Sequence, residues 1–134
     1  MRLRRPPSRK GTGKIRGATG SVGSRISGVG GYRPERVVMN SELVEAIDSS
    51  DEWIRERSGI ISRRFAAADE SVVDMAYAAS KEAIAAAGIE QGDVDAVILA
   101  TVTHPYQTPA AAPILADRLD LRAAAFDISA ACAG

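Results

Sequence analysis

The spacing of hydrophobic and polar positions changes several times along the chain, and each change marks an element. The strongest run lies between Ser71 and Gly88. Val72, Met75, Ala76, Ala79, Ala83 and Ala87 recur at three- and four-residue intervals, which places them on one stripe of a helix. Ser71 with Asp74 forms a capping box at the start and Gly88 a stop at the end, so a helix over 72–87 is expected. Further on, D-A-V-I-L-A-T-V (95–102) is a near-continuous apolar run. Such runs belong to strands buried on both faces, in parallel sheets covered by helices. A second apolar strand is expected over 123–128. A helix lies between them, within 109–119, and its start is open. Either Pro109 is its first residue and Pro113 kinks it, or it begins near Ala112.

The upstream pattern is shorter in period. R-I-S-G-V-G-G (25–31) alternates and reads as a short strand ending in a glycine-rich turn. G-x-G-G followed by Pro34 is not a dinucleotide-binding fingerprint, because the third glycine and the helix start are missing. Asn40 is a good N-cap for a short helix with Leu43, Val44 and Ile47 on one face. Ser49 or Ser50 can cap a second helix over 51–57, stopped at Gly59. A strand over 60–65 follows, with Arg63 and Arg64 pointing outward. Strands alternating with helices define an α/β layered fold, a mainly parallel sheet flanked by helices.

Composition narrows the function classes. With 134 residues there is room for one domain, and 46% apolar residues are enough for a core, which excludes wholesale disorder. Seventeen basic residues balance seventeen acidic ones, so the whole chain is not a nucleic-acid binder by charge. No apolar run approaches the roughly 18 residues of a membrane span. A single cysteine, Cys132, excludes an internal disulfide and a structural zinc site, and a free thiol points to the cytoplasm. Alanine occurs 24 times; such small side chains let elements approach closely but bury little area each, which predicts modest stability.

The charge is uneven. Residues 1–25 carry eight basic residues and no acid, among glycines and prolines. This composition reads as a basic disordered extension over 1–24, ahead of a folded part over 25–134. A solvated tail or an upstream start, a nucleic-acid or membrane-surface arm, and a transit peptide all remain open for it.

Cys132 stands out for chemistry. It follows an apolar strand directly, in the small-residue run S-A-A-C-A-G, and site residues gather at the carboxyl ends of strands in parallel sheets. A thiol at the start of a following helix would be favoured as thiolate by the unpaired amides there. The alternative is a buried, inert cysteine. Trp53 is either packing or a flat surface for a planar ring, with Arg57 one turn on to meet an anionic group. His104, in a loop before Pro105, reads as a histidine without a catalytic role. No metal-ligand spacing and no acid–base carboxylate pair is present.

The segments G-V-G-G-Y-R-P-E-R-V-V (28–38), D-S-S-D-E-W-I-R-E-R-S-G-I (48–60) and A-F-D-I-S-A-A-C-A-G (125–134) together resemble the start of the β-ketoacyl-[acyl carrier protein] synthase III family. The resemblance implies the N-terminal part of a thiolase-like fold and an initiating condensing enzyme of type II fatty-acid synthesis. It implies that Cys132 takes an acyl group from acyl-CoA and then condenses with malonyl-acyl carrier protein, with no cofactor and acyl-CoA as substrate. Trp53 matches the residue that stacks on the CoA adenine, Arg57 a CoA-contacting arginine and Ser49 a nearby polar contact. Thr108 matches a position that borders the acyl pocket across a homodimer, and a threonine there implies a roomier pocket. The family's catalytic histidine and asparagine match nothing in this chain, and His104 is not the histidine. The 134 residues are therefore expected to be a fragment that is inactive alone and exposes apolar faces. Three rivals stand beside this: another thiolase-fold acyltransferase of specialised metabolism, a non-catalytic CoA- or partner-binding module, and a non-catalytic Ala-rich domain whose cysteine is structural and whose basic head binds nucleic acid.

Overall fold

A computed structural model describes residues 23–44 and 46–134 of the chain. All but the last two residues of the basic extension lie outside the described residues. The element order is β1 (Arg36–Met39), α1 (Asn40–Leu43), α2 (Asp51–Ser58), β2 (Ser62–Phe65), α3 (Val72–Ala87), β3 (Ala96–Ala100), α4 (Ala111–Arg118) and β4 (Ala124–Ile128). Single 3-10 turns occupy Gln91–Asp93 and Ala131–Ala133.

The α/β character is as expected, but the described strands form two separate pairs. β3 and β4 run parallel, with Ile98 opposite Phe126 and Leu99 opposite Asp127. β1 and β2 run antiparallel, with Val38 opposite Arg63. One face of the parallel pair carries Val97 and Leu99, which pack on a core of Val73, Ala111, Leu115 and Leu119 from α3 and α4. A Val or Leu buried there contributes about 1.5–3 kcal/mol. The opposite face is bare: Ile98 is 54% exposed and Phe126 48%. The expectation of a strand buried on both faces is therefore corrected. Among the described residues the helices cover only one side, and an all-apolar strand reads alike whether its second cover is present or not.

The helix over 72–87 falls where the sequence placed it. Ser71 Oγ accepts from the Asp74 amide, and Gly88 closes the helix in the left-handed region with φ 65°. The strand expected over 25–31 does not form. That segment is extended but unpaired, and it crosses the alanine face of α3. A Cβ on Gly28 or Gly30 would collide with the backbone at Ala79, Ala83 or Ala87, so only glycine permits this approach. The Gly31 amide donates to Glu82 on the same helix at 3.0 Å. Two-residue alternation serves a chain laid across a helix as well as a strand, and the true strand, β1, begins five residues later.

α1 is shorter than expected, and Asn40 is its first residue, not its cap. Its side chain is buried because it has other partners: Nδ2 donates to Asp51 Oδ1 at 2.7 Å and to the Ile60 carbonyl at 2.8 Å, and Oδ1 accepts from Arg63 at 3.1 Å. Arg63 is thus drawn inward, against the outward orientation expected for it. Arg64 does face out and donates to the carbonyls of Pro34 and Glu35. No helix among the described residues is long and apolar enough to cross a membrane.

Candidate active site

The residues singled out for chemistry fall into two groups. The first is built on α2. Of the two serines considered as caps, Ser50 does the work, accepting from the Trp53 amide at 3.1 Å. Gly59, at φ 70°, ends the helix. Asp51 pairs with Arg55 at 2.7 Å and accepts from Asn40; these hydrogen bonds hold its carboxyl below the ordinary carboxylate range. Trp53 is 55% exposed, and the Arg57 guanidinium lies 5.5 Å from its ring centroid. A small cavity of about 280 Å³ beside it is lined by Asp48, Ser49, Ser50 and Trp53. Ser49 Oγ is buried with no hydrogen-bond partner in the structure, a polar atom that a ligand group could satisfy. The structure thus brings Trp53, Arg57 and Ser49 to one place. The network of Asn40, Asp51 and Arg63 ties that helix to the β1–β2 pair.

The second group lies at the carboxyl ends of β3 and β4. Because these strands are parallel, the loop over 101–110 and the turn holding Cys132 leave the same edge. A Cβ on Gly134 would stand 3.3 Å from that of Ala100, which confirms that the turn folds over the end of β3. Cys132 is exposed. The residue before it, Ala131, has φ 47°, a left-handed conformation that costs a non-glycine residue about 1–2 kcal/mol and that a small side chain tolerates best. The turn's bonds run from Ala133 to Ala130 and from Gly134 to Ala131, so the Cys132 amide donates neither of them. The helix expected to start at Cys132 is, among the described residues, one 3-10 turn.

A cavity of about 460 Å³ opens at this edge, lined by Val102, His104, Pro105, Tyr106, Gln107, Ala110 and Asp127. Thr108 is exposed in the same loop but does not line it. Asp127 is the residue that sequence reasoning missed. Its carboxylate accepts from the amides of Ala111 and Ala112 at 2.8 and 2.7 Å, and His104 Nδ1 lies 3.1 Å from it. The signal was an acid at an inward-facing position of an otherwise apolar strand, a place where a carboxylate must have partners. The two cavities share no lining residue. Among the described residues no cluster of three metal-ligating side chains occurs.

No family model matches the chain. Solved structures do: the priming β-ketosynthase of the R1128 polyketide pathway superposes with a TM-score of 0.73 at 43% identity, over 79% of this chain and 32% of that one. The 3-oxoacyl-[acyl carrier protein] synthase III of Aquifex aeolicus gives 0.74 at 40%, over 81% and 35%. The fold is thus the thiolase-like α/β fold of condensing enzymes, and the arrangement is consistent with its N-terminal part. Among curated proteins, the β-ketoacyl-[acyl carrier protein] synthase III of Streptomyces glaucescens is 58% identical over 122 residues, 90% of this chain and 37% of the relative. That of Mycolicibacterium paratuberculosis is 53% identical over the same share of this chain and 36% of its own length. The chain is therefore a homologue of a segment of β-ketoacyl-[acyl carrier protein] synthase III, as the sequence resemblance implied, and it spans about a third of the length of these relatives.

Proposed function

We propose that these residues form the nucleophile-bearing part of an initiating condensing enzyme of type II fatty-acid synthesis, working in the cytoplasm as a homodimer. The observation that carries the reading is the placement of Cys132: an exposed thiol on a tight turn, at the shared carboxyl edge of two parallel strands. The Cys132 sulfur, as thiolate, attacks the acyl-CoA carbonyl; the new C–S bond forms, the bond to CoA breaks, and CoA leaves as its thiolate to take up a proton. Malonyl-acyl carrier protein then loses carbon dioxide, its α-carbon attacks the acyl-enzyme carbonyl, and the Cys132 sulfur is released. Exchange between thioesters is nearly neutral in energy, so the protein's task is to supply a thiolate and stabilise an oxyanion. The Cys132 amide is one donor for that oxyanion.

On this reading Trp53 stacks on the adenine of CoA, Arg57 meets its phosphates and Ser49 Oγ gains its missing partner. No cofactor takes part; acyl-CoA is substrate. Thr108 borders the acyl pocket from the neighbouring protomer and leaves room for a primer larger than acetyl. The bare face of β3 and β4 fits a site completed by the larger part of the relatives' length, and we propose that the 134 residues alone do not condense. The similarity to a polyketide priming ketosynthase at 43% identity supports a second reading, the same cysteine chemistry serving specialised metabolism. The two differ in the carrier protein that delivers malonate.

The test is a chimera in which this chain replaces the matching segment of the Streptomyces glaucescens relative. The chimera should load one acyl group from acyl-CoA, seen by intact-protein mass, and Cys132→Ser should load none. Unchanged loading in Cys132→Ser overturns the reading.

A further inference from the structure

We propose that Asp127 and His104 are positioning residues that tie the Thr108 loop to the strand leading into Cys132. The inference rests, for its catalytic consequence, on the function proposed above; the latch itself rests on geometry alone. One carboxylate joins three pieces of chain. Asp127 belongs to β4, five residues before Cys132. Its Oδ1 accepts from the Ala112 amide at 2.7 Å, its Oδ2 accepts from the Ala111 amide at 2.8 Å, and His104 Nδ1 stands 3.1 Å from Oδ2. Ala111 and Ala112 open α4, and His104 sits in the loop that connects β3 to it. Both ends of the Thr108-bearing segment are thus held by one side chain, His104 before Thr108 and the helix start after it.

The surroundings make the latch stiff. The side chain of Asp127 is only 13% exposed, so its bonds compete little with water. Ala111 and Ala112 are buried, and their amides have no helical partner of their own at a helix start. Asp127 and His104 also line the cavity of about 460 Å³, so movement of either reshapes it. A carboxylate is the group suited to this place, because all three neighbours are donors. An amide would have to turn its NH2 toward at least one of them.

The latch predicts a tautomer. A neutral histidine held through Nδ1–H to Asp127 carries its proton on Nδ1, with Nε2 bare. In the 134-residue chain with nitrogen-15 histidine, the neutral imidazole should show a protonated Nδ1. Asp127→Asn should shift the proton to Nε2. It should also make the Ala111 and Ala112 amides exchange about tenfold faster, leaving the α3 amides, capped by Ser71, unchanged. His104→Gln, which keeps a donor, should retain the Ala111 and Ala112 protection. A wild type protonated on Nε2 overturns the proposal, and so does uniform faster exchange that includes α3. In the chimera, Asp127→Asn should flatten the preference between long and short acyl-CoA, and His104→Gln should preserve it; an unchanged preference in Asp127→Asn overturns the catalytic consequence. A wild-type chimera that loads no acyl group counts against the proposed function and leaves the tautomer and exchange results standing.

Discussion

α3 and α4 lie side by side in one core, yet their first turns are organised in opposite ways. α3 carries its own start. Ser71 Oγ accepts from the Asp74 amide at 3.3 Å, and the Asp74 carboxylate returns a bond to the Ser71 amide at 2.8 Å, all within four residues. α4 carries no such signal. Its preceding residue is Ala110, its third residue is Pro113, and its first two amides are satisfied by Asp127, fifteen and sixteen positions away. A helix with a local cap can begin to form as soon as its own residues are in place. One with a borrowed cap must wait for the β3–β4 pairing that brings Asp127 to it.

If α4 is held by its surroundings, the largest effect should come from its packing. Leu115 is 3% exposed in the core formed with Val73, Ala111 and Leu119. Leu115→Ala should lower stability by about 3 kcal/mol, read by urea unfolding. Since small domains hold only about 5–15 kcal/mol in all, that loss should be visible as a lower midpoint. A loss under about 1 kcal/mol would mean that α4 stands by itself and the contrast with α3 is false.

The same contrast explains what could be read in the sequence. The bounds of α3 were legible because every instruction for it is adjacent: the stripe, the capping box and Gly88. The same holds for α2, between Ser50 and Gly59. The start of α4 stayed ambiguous between Pro109 and Ala112 because its cap lies on another strand. Asn40 was read as a local cap for a similar reason. Its partners Asp51, Ile60 and Arg63 are eleven to twenty-three positions away, and only the fold reveals that they converge. In the candidate site, Cys132, Trp53 and Arg57 were visible as residue types in telling places. The role of Asp127 was not, since it depends on three donors drawn from distant stretches of chain.

A smaller effect tests the local cap. Ser71→Ala should cost about 1 kcal/mol and speed exchange in the first turn of α3, with the α4 amides unaffected. The cap also sets an acid limit. Hydrogen bonds from Ser71, its side chain first and then its amide, hold the Asp74 carboxyl far below the ordinary carboxylate range, and Arg118 adds to them at 2.6 Å. A depressed folded-state value means that the stabilisation is fully present above the unfolded carboxyl value of about 3.9. It is lost as pH falls from there toward the folded value. Wild-type stability should therefore decline below roughly pH 4, and Asp74→Asn should remove part of that decline. An identical acid profile in Asp74→Asn would show that the cap is not what acid breaks.

The smallest effect is the sharpest. Ala110 occupies the cap position of α4, where serine would ordinarily add about 1 kcal/mol by accepting from the second or third amide of the helix. Here the third residue is Pro113, which has no amide hydrogen, and the second, Ala112, already donates to Asp127 at 2.7 Å. Ala110→Ser should therefore change stability by less than about 0.5 kcal/mol, because no donor is left for it to satisfy. In an Asp127→Ala background the Ala112 amide is free, and the same Ala110→Ser change should then recover a measurable part of what Asp127→Ala removed. Equal gains in both backgrounds would show that Asp127 does not cap α4. A gain confined to the second background identifies the distant carboxylate as the cap, and with it the reason one helix of this core was plain in the sequence and its neighbour was not.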